Sequence, residues 1–263
     1  MASSTLAITP GLRRKLGDWL QEDLGRGDLS APALQGQAGD AYWQAKAPGV
    51  FCGGVLLKPL LSELVGPAGH QVELQLLVCD GASVAAGDRL LELSGPAEML
   101  VAMERTALNL AMRLSGIATA TAALVAQLEG TGVALADTRK TTPGLRVLEK
   151  YAVRCGGGVN HRMGLDDAAM LKENHLAWAG GVTAAIAAVR ANAPWPARAV
   201  VEAETAEEAH AVVVAGADAL LLDEFSPEAL ITLVPLLRAQ AELRPARTSG
   251  GVEASGVNPA DLK

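Results

Sequence analysis

Four short apolar runs in the second half of the chain constrain its fold most: VALAD (133–137), AAMLKE (168–173), AVVEAE (199–204) and ALLLDE (219–224). Each is too short for a buried helix, rich in branched aliphatic residues, and closed by charge, which is how a buried parallel strand reads. Helical stretches follow them at 144–153, 180–192, 205–215 and 226–240. Two have clear starts: Thr205-Ala-Glu-Glu208 fits a capping box, and Ser226-Pro227-Glu228 fits a cap with proline in the first turn. Strand–helix alternation with charge at the carboxyl ends of the strands predicts an open parallel α/β barrel with a site at that end. A flat doubly wound sheet gives a similar pattern and stays open as the alternative.

The first half reads differently. Thr9-Pro10 opens a helix over 9–24, with Leu12, Leu16, Trp19 and Leu20 at helical spacing. Between 40 and 95, short apolar runs split by Gly and Pro predict a small β-rich region with a helix at 54–65 among the strands. Residues 97–128 lack proline and predict one or two long helices, with Ser115-Gly116 as a break. The expectation is an α/β protein: an N-terminal α/β sandwich domain over 1–115 and an α/β barrel domain over 116–263. At 263 residues, 50% apolar and 3% aromatic, the chain can fill such layers with aliphatic side chains.

A formal net charge of −7 and few aromatics argue against nucleic acid as the partner. The N-terminus lacks the apolar segment of a signal peptide, and no run of 18 consecutive apolar residues suggests a membrane span. Cys52, Cys79 and Cys155 are far apart and without CxxC spacing, as expected of reduced thiols in a cytoplasmic protein.

Against this acidic background, residues 139–162 hold six Arg or Lys side chains and one acid, Glu149. The barrel reading puts Asp137, Arg139, Lys140, Lys172, Glu202 and Asp223 at strand ends on one face. Cations there suit carboxylates or phosphates, and acids suit sugar hydroxyls or a metal ion bridging phosphates. Arg146, Lys150 and Arg154, four apart, read as a solvated or partner-facing helix surface. Gly156-Gly157-Gly158 reads either as a flexible loop or as backbone that lets amides approach an anion. No zinc-ligand spacing, P-loop or GxSxG is present.

ERTALN (104–109), RLSGIAT (113–119), DTRKTTPGLR (137–146), EKYAVRCGGGVNHR (149–162), LKENH (171–175) and LLDEF (221–225), in this order, resemble the quinolinate phosphoribosyltransferase family (nicotinate-nucleotide pyrophosphorylase, carboxylating). The resemblance begins at EDLGRGD (22–28) and is dense between 104 and 175. It implies a pentosyltransferase of NAD biosynthesis: quinolinate and phosphoribosyl pyrophosphate, with Mg²⁺, give nicotinate mononucleotide, pyrophosphate and CO₂. It implies a homodimer and an N-terminal sandwich followed by an open barrel. By motif, Arg139, His161, Arg162 and Lys172 resemble the clamp on the quinolinate carboxylates, and Arg105 the arginine lent by the partner subunit. Lys140 and Lys172 would also face pyrophosphate. Glu202 and Asp223 are similar to the acids that bind ribose hydroxyls and Mg²⁺, and Lys140, Lys172, Glu202 and Asp223 form the expected catalytic set.

Two departures from the family pattern matter. Glu224 stands where the family usually has asparagine. At the C-terminus, Ser249-Gly250-Gly251 is the expected 5′-phosphate loop, after a strand at RPART, with 253–256 as its rival. The family's last strand, second phosphate loop and tail are expected to be missing. A silent pyridine-dicarboxylate-binding relative and a molybdenum-locus homologue of the same fold are the alternatives to the enzyme.

Overall fold

The computed structural model describes residues 5–65, 72–242 and 251–254. The described residues fall into two compact units, one reaching residue 129 and continuing over 133–161, the other made of 130–132 and everything from 162 onward.

In the first unit, α1 (Pro10–Leu24) starts where Thr9 Oγ1 accepts the Leu12 amide at 3.2 Å, and buries Leu12, Leu16 and Leu20. Next come β1 (Ala38–Gln44), β2 (Gly49–Val50), α2 (Leu57–Val65), β3 (Glu73–Leu76), β4 (Ser83–Val84) and β5 (Arg89–Pro96). β5 is the centre of an antiparallel sheet ordered β1-β5-β3, and β2 pairs with β4. The expected helix at 54–65 is a short 3₁₀ turn followed by α2.

α3 (Ala97–Gln127) is one unbroken helix of 31 residues; Ser115 and Gly116 do not interrupt it. By length and composition alone it could cross a bilayer. Here its buried side, Leu100, Met103, Ala107, Leu114 and Ala118, belongs to a core shared with α1, α2, β5 and α4 (Arg146–Cys155). Close approach needs the glycines: a Cβ on Gly53 would lie 2.8 Å from Ala111 Cα, and one on Gly156 2.4 Å from the Ala118 carbonyl oxygen.

In the second unit, β6 (Ala169–Leu171), α5 (Glu173–Ala179), α6 (Val182–Asn192), β7 (Ala199–Ala203), α7 (Ala206–Ala215), β8 (Ala219–Leu222), α8 (Pro227–Glu242) and β9 (Gly251–Ala254) build a parallel sheet ordered β6-β7-β8-β9. β7 is buried at every position, as a central parallel strand should be. The Thr205–Glu208 capping box is present, each residue accepting the other's amide at 3.2 Å. The chain is therefore α/β, with an N-terminal antiparallel sheet region followed by a parallel α/β domain.

Two expectations need correcting. VALAD is no strand of the parallel sheet; it makes an isolated parallel bridge, Ala136 with Val159, inside the first unit. The reading of AAMLKE (168–173) as a run followed by a helix at 180 leaves out α5: His175 Nδ1 accepts the Lys172 amide at 3.2 Å, starting a helix at Glu173 that the left-handed Gly180 ends.

Candidate active site

The first unit holds Arg139, Lys140 and His161. After the Ala136 bridge, Asp137 leads into a turn where the Lys140 amide donates to Thr138 Oγ1 (3.0 Å) and the Thr141 amide to the Arg139 carbonyl (2.9 Å). The Arg139 side chain is half-buried and that of Lys140 exposed. Arg146 Nε donates to Thr141 Oγ1 (3.0 Å), closing the turn from the first residue of α4. Further along, the Thr142 amide donates to Glu149 Oε2 (3.1 Å). Arg113, from α3, donates to Glu149 Oε1 through Nε (2.9 Å) and to the Thr142 hydroxyl through Nη2. Burial pushes the Glu149 carboxyl up, but the Arg113 and Thr142 bonds outweigh it and hold the group below its ordinary range.

Lys150 is fully buried, so Arg146, Lys150 and Arg154 do not form a solvated helix face. Its Nζ pairs with Asp137 Oδ1 and donates to the His161 carbonyl at 2.9 Å. Asp137 is thereby consumed: Oδ1 also accepts the His161 amide (2.9 Å), and Oδ2 accepts Asn160 Nδ2. It braces the backbone rather than offering a carboxylate to a ligand. Breaking such a buried pair from one side typically costs about 3–5 kcal/mol. Arg154 donates to the Thr5 carbonyl at 2.8 Å and lies over the Tyr151 ring. The three glycine amides at 156–158 donate to carbonyls of Ala152, Arg154 and Val153, so they are no anion cradle. A Cβ on Gly158 would lie 2.8 Å from Val153 Cγ1; these glycines serve close packing. Arg105 is exposed on α3, in the same unit.

The second unit holds Arg162, Lys172, Glu202 and Asp223. Arg162 is buried, with Nη1 donating to the Ala168 carbonyl at 2.8 Å. Lys172 follows β6, and its Nζ meets Glu202 Oε2 at 2.7 Å; the lysine is half-exposed and the glutamate buried. Leu171 is in register with Val201, and Ala203 with Leu222, so Lys172, Glu202 and Asp223 share the carboxyl edge of three neighbouring strands. The Asp223 amide donates to the Ala203 carbonyl at 3.0 Å. The field at this edge is negative: Glu204 is pushed up, first by desolvation and then by Glu173, Glu208, Glu224 and Glu202. Among the described residues no group of three or more His, Cys, Asp or Glu is placed to hold a metal ion by itself. Two hard carboxylates on one edge do suit a Mg²⁺ that takes its remaining ligands from phosphates and water. Ser249 and Gly250 lie outside the described residues, as does RPART.

Both halves of the chain match one family. Residues 28–115 match the N-terminal domain of quinolinate phosphoribosyl transferase, and residues 117–260 match its C-terminal domain. The chain belongs to the quinolinate phosphoribosyltransferase family. It is thus a phosphoribosyltransferase by descent, and the seam between the family's two domains falls inside α3, whereas the compact units divide elsewhere. The chain is 41% identical over 238 residues to the probable nicotinate-nucleotide pyrophosphorylase [carboxylating] of Synechocystis, covering 90% of this chain and 79% of that one. The Bacillus subtilis protein of the same description is 41% identical over 246 residues, 93% of this chain and 81% of that one. Its fold is similar to the crystal structure of NadC from Streptococcus pyogenes, with a TM-score of 0.83 at 34% identity, covering 95% of this chain and 93% of that one. These family relatives give no support to a silent binder or a molybdenum-locus homologue.

Reading the sequence of this family member missed Arg113, Glu149, Lys150 and Asn160 as internal partners. One signal was available: Glu149 and Lys150 sit between Leu148 and Tyr151, so a helix buried at those positions has to bury charge too.

Proposed function

We propose that the chain transfers phosphoribosyl from phosphoribosyl pyrophosphate to quinolinate with decarboxylation, giving nicotinate mononucleotide, pyrophosphate and CO₂. The match of both family domains, in order and over nearly the whole chain, carries this reading. Its placement in NAD biosynthesis follows from the product.

Arg139, His161, Arg162 and Lys172 bind the two carboxylates of quinolinate, with Arg105 of the partner subunit completing the clamp in a homodimer. Arginine forks suit a carboxylate pair, and Lys172, already oriented by Glu202, adds a point charge. Lys140 and Lys172 face pyrophosphate, and Glu202 and Asp223 hold the ribose hydroxyls. Mg²⁺, held by the same two acids and the substrate's phosphates, supplies charge neutralisation when bound. The ribose C1–pyrophosphate bond breaks as the pyridine nitrogen forms its bond to C1. The positive charge developing on the sugar is met by the fixed carboxylates Glu202 and Asp223. Once the nitrogen is quaternary, the ring accepts the electron pair left by the C2 carboxylate, which departs as CO₂, and C2 takes a proton. The residues position and neutralise; no covalent nucleophile is needed.

For the 5′-phosphate, Ser249-Gly250-Gly251 is the proposed loop, with 253–256 as its rival. A working homodimer in the cytoplasm, dependent on Mg²⁺, completes the proposal.

The test is turnover of purified protein with quinolinate, phosphoribosyl pyrophosphate and Mg²⁺, following nicotinate mononucleotide. Wild type forms product and Arg139→Ala lowers kcat/KM by about a hundredfold or more. A mutant as active as wild type would remove Arg139 from the clamp, and absence of product from wild type would overturn the reaction.

A further inference from the structure

We infer that Glu149 and Lys150, neighbours on α4, are positioning residues for the Arg139–Lys140 turn and for His161, a role that rests on the reaction proposed above. Their side chains secure opposite ends of one six-residue stretch. Lys150 takes Asp137 at its start, and Glu149 takes the Thr142 amide at its finish, with Arg113 of α3 locking Glu149 in turn. Arg139 and Lys140 lie between these two fixed points. The same lysine reaches the carbonyl of His161 while its partner Asp137 takes the amide of that residue, so both backbone groups of His161 are bound to one ion pair. Asn160 closes the ring by donating to Asp137 Oδ2 and, at 2.8 Å, to the Lys150 carbonyl.

A buried ion pair is a poor device for stability, because apolar side chains of similar volume do as well or better. What this pair does that an apolar pair cannot is fix backbone groups in two segments far apart in sequence. Of the residues fixed, Arg139 and His161 are assigned to the substrate's carboxylates and Lys140 to pyrophosphate. A clamp for two carboxylates on one rigid ring tolerates little misplacement, so a loosened support shows first in quinolinate affinity.

The test compares Lys150→Met, the charge-neutral double variant Asp137→Asn with Lys150→Met, and Glu149→Gln with wild type. The double variant leaves no uncompensated buried charge, so it keeps the fold where Lys150→Met fails; circular dichroism melting selects the folded variants. For these, the KM and calorimetric Kd for quinolinate rise by about tenfold to a hundredfold, and the KM for phosphoribosyl pyrophosphate rises less, because Lys140 alone among the fixed residues faces it. Hydrogen exchange reads the support directly: the His161 amide exchanges faster in the double variant, and amides of α1 and β7 do not. Folded variants with unchanged quinolinate affinity, or an unchanged His161 amide, would overturn the role and leave Lys150 a fold residue. Loss confined to kcat with both affinities intact would overturn it as well. A wild-type chain without turnover sinks the proposed reaction itself, and this role with it, whatever the exchange shows.

Discussion

Glu224 holds a φ of +62°, alone among the described non-glycine residues in having a positive value. A left-handed residue with a Cβ is strained by about 1–2 kcal/mol, and asparagine tolerates this region better than glutamate. Its carboxylate also adds to the charge that raises Glu204. Glu224→Asn is therefore expected to stabilise the protein by about 0.5–1 kcal/mol, read from the urea midpoint at constant m. Glu149 makes the opposite kind of contribution. Its folded pKa lies below the ordinary value of 4.5, so its stabilisation is complete above that value and is lost as pH falls through the depressed one. Urea midpoints of Glu149→Gln will fall below wild type at pH 7 and converge with it in acid. A constant gap across that range would deny the carboxylate its role.

Elements were legible where local chemistry alone decides them. Thr9-Pro10 and Thr205-Ala-Glu-Glu208 carry their own start signals, and α1 and α7 begin there. Removing the second, as Thr205→Ala, is expected to cost about 1 kcal/mol, measured by thermal or urea unfolding. β6, β7 and β8 followed from apolar runs closed by charge. VALAD looked the same, but a strand needs a partner, and sequence does not show that Val159 takes Ala136 instead of β6. For the same reason α4 misled: i, i+4 spacing marked Arg146, Lys150 and Arg154 as a surface, and only the three-dimensional position of Asp137 shows why Lys150 is inside. The glycines of 156–158 were ambiguous because flexibility and tight packing use the same residue, and the carbonyl of Ala118 decides for packing.

Over the whole molecule, net charge and local charge differ. A chain of net charge −7 holds six of its 22 Lys and Arg, with one acid, in residues 139–162, which suits anionic substrates. Motif order made the family and fold legible from sequence, because DTRKTTPGLR, GGGVNHR and LKENH are specific together where each cation alone is not. The supporting network was not legible, since Arg113, Asp137, Glu149, Lys150 and Asn160 become partners only through the packing of α4 on α3. The most direct test of the account follows the leaving group. Quinolinate labelled in its C2 carboxylate is predicted to release labelled CO₂ in step with nicotinate mononucleotide, and only when phosphoribosyl pyrophosphate is present. Label released without phosphoribosyl pyrophosphate, or product that retains it, would contradict the account.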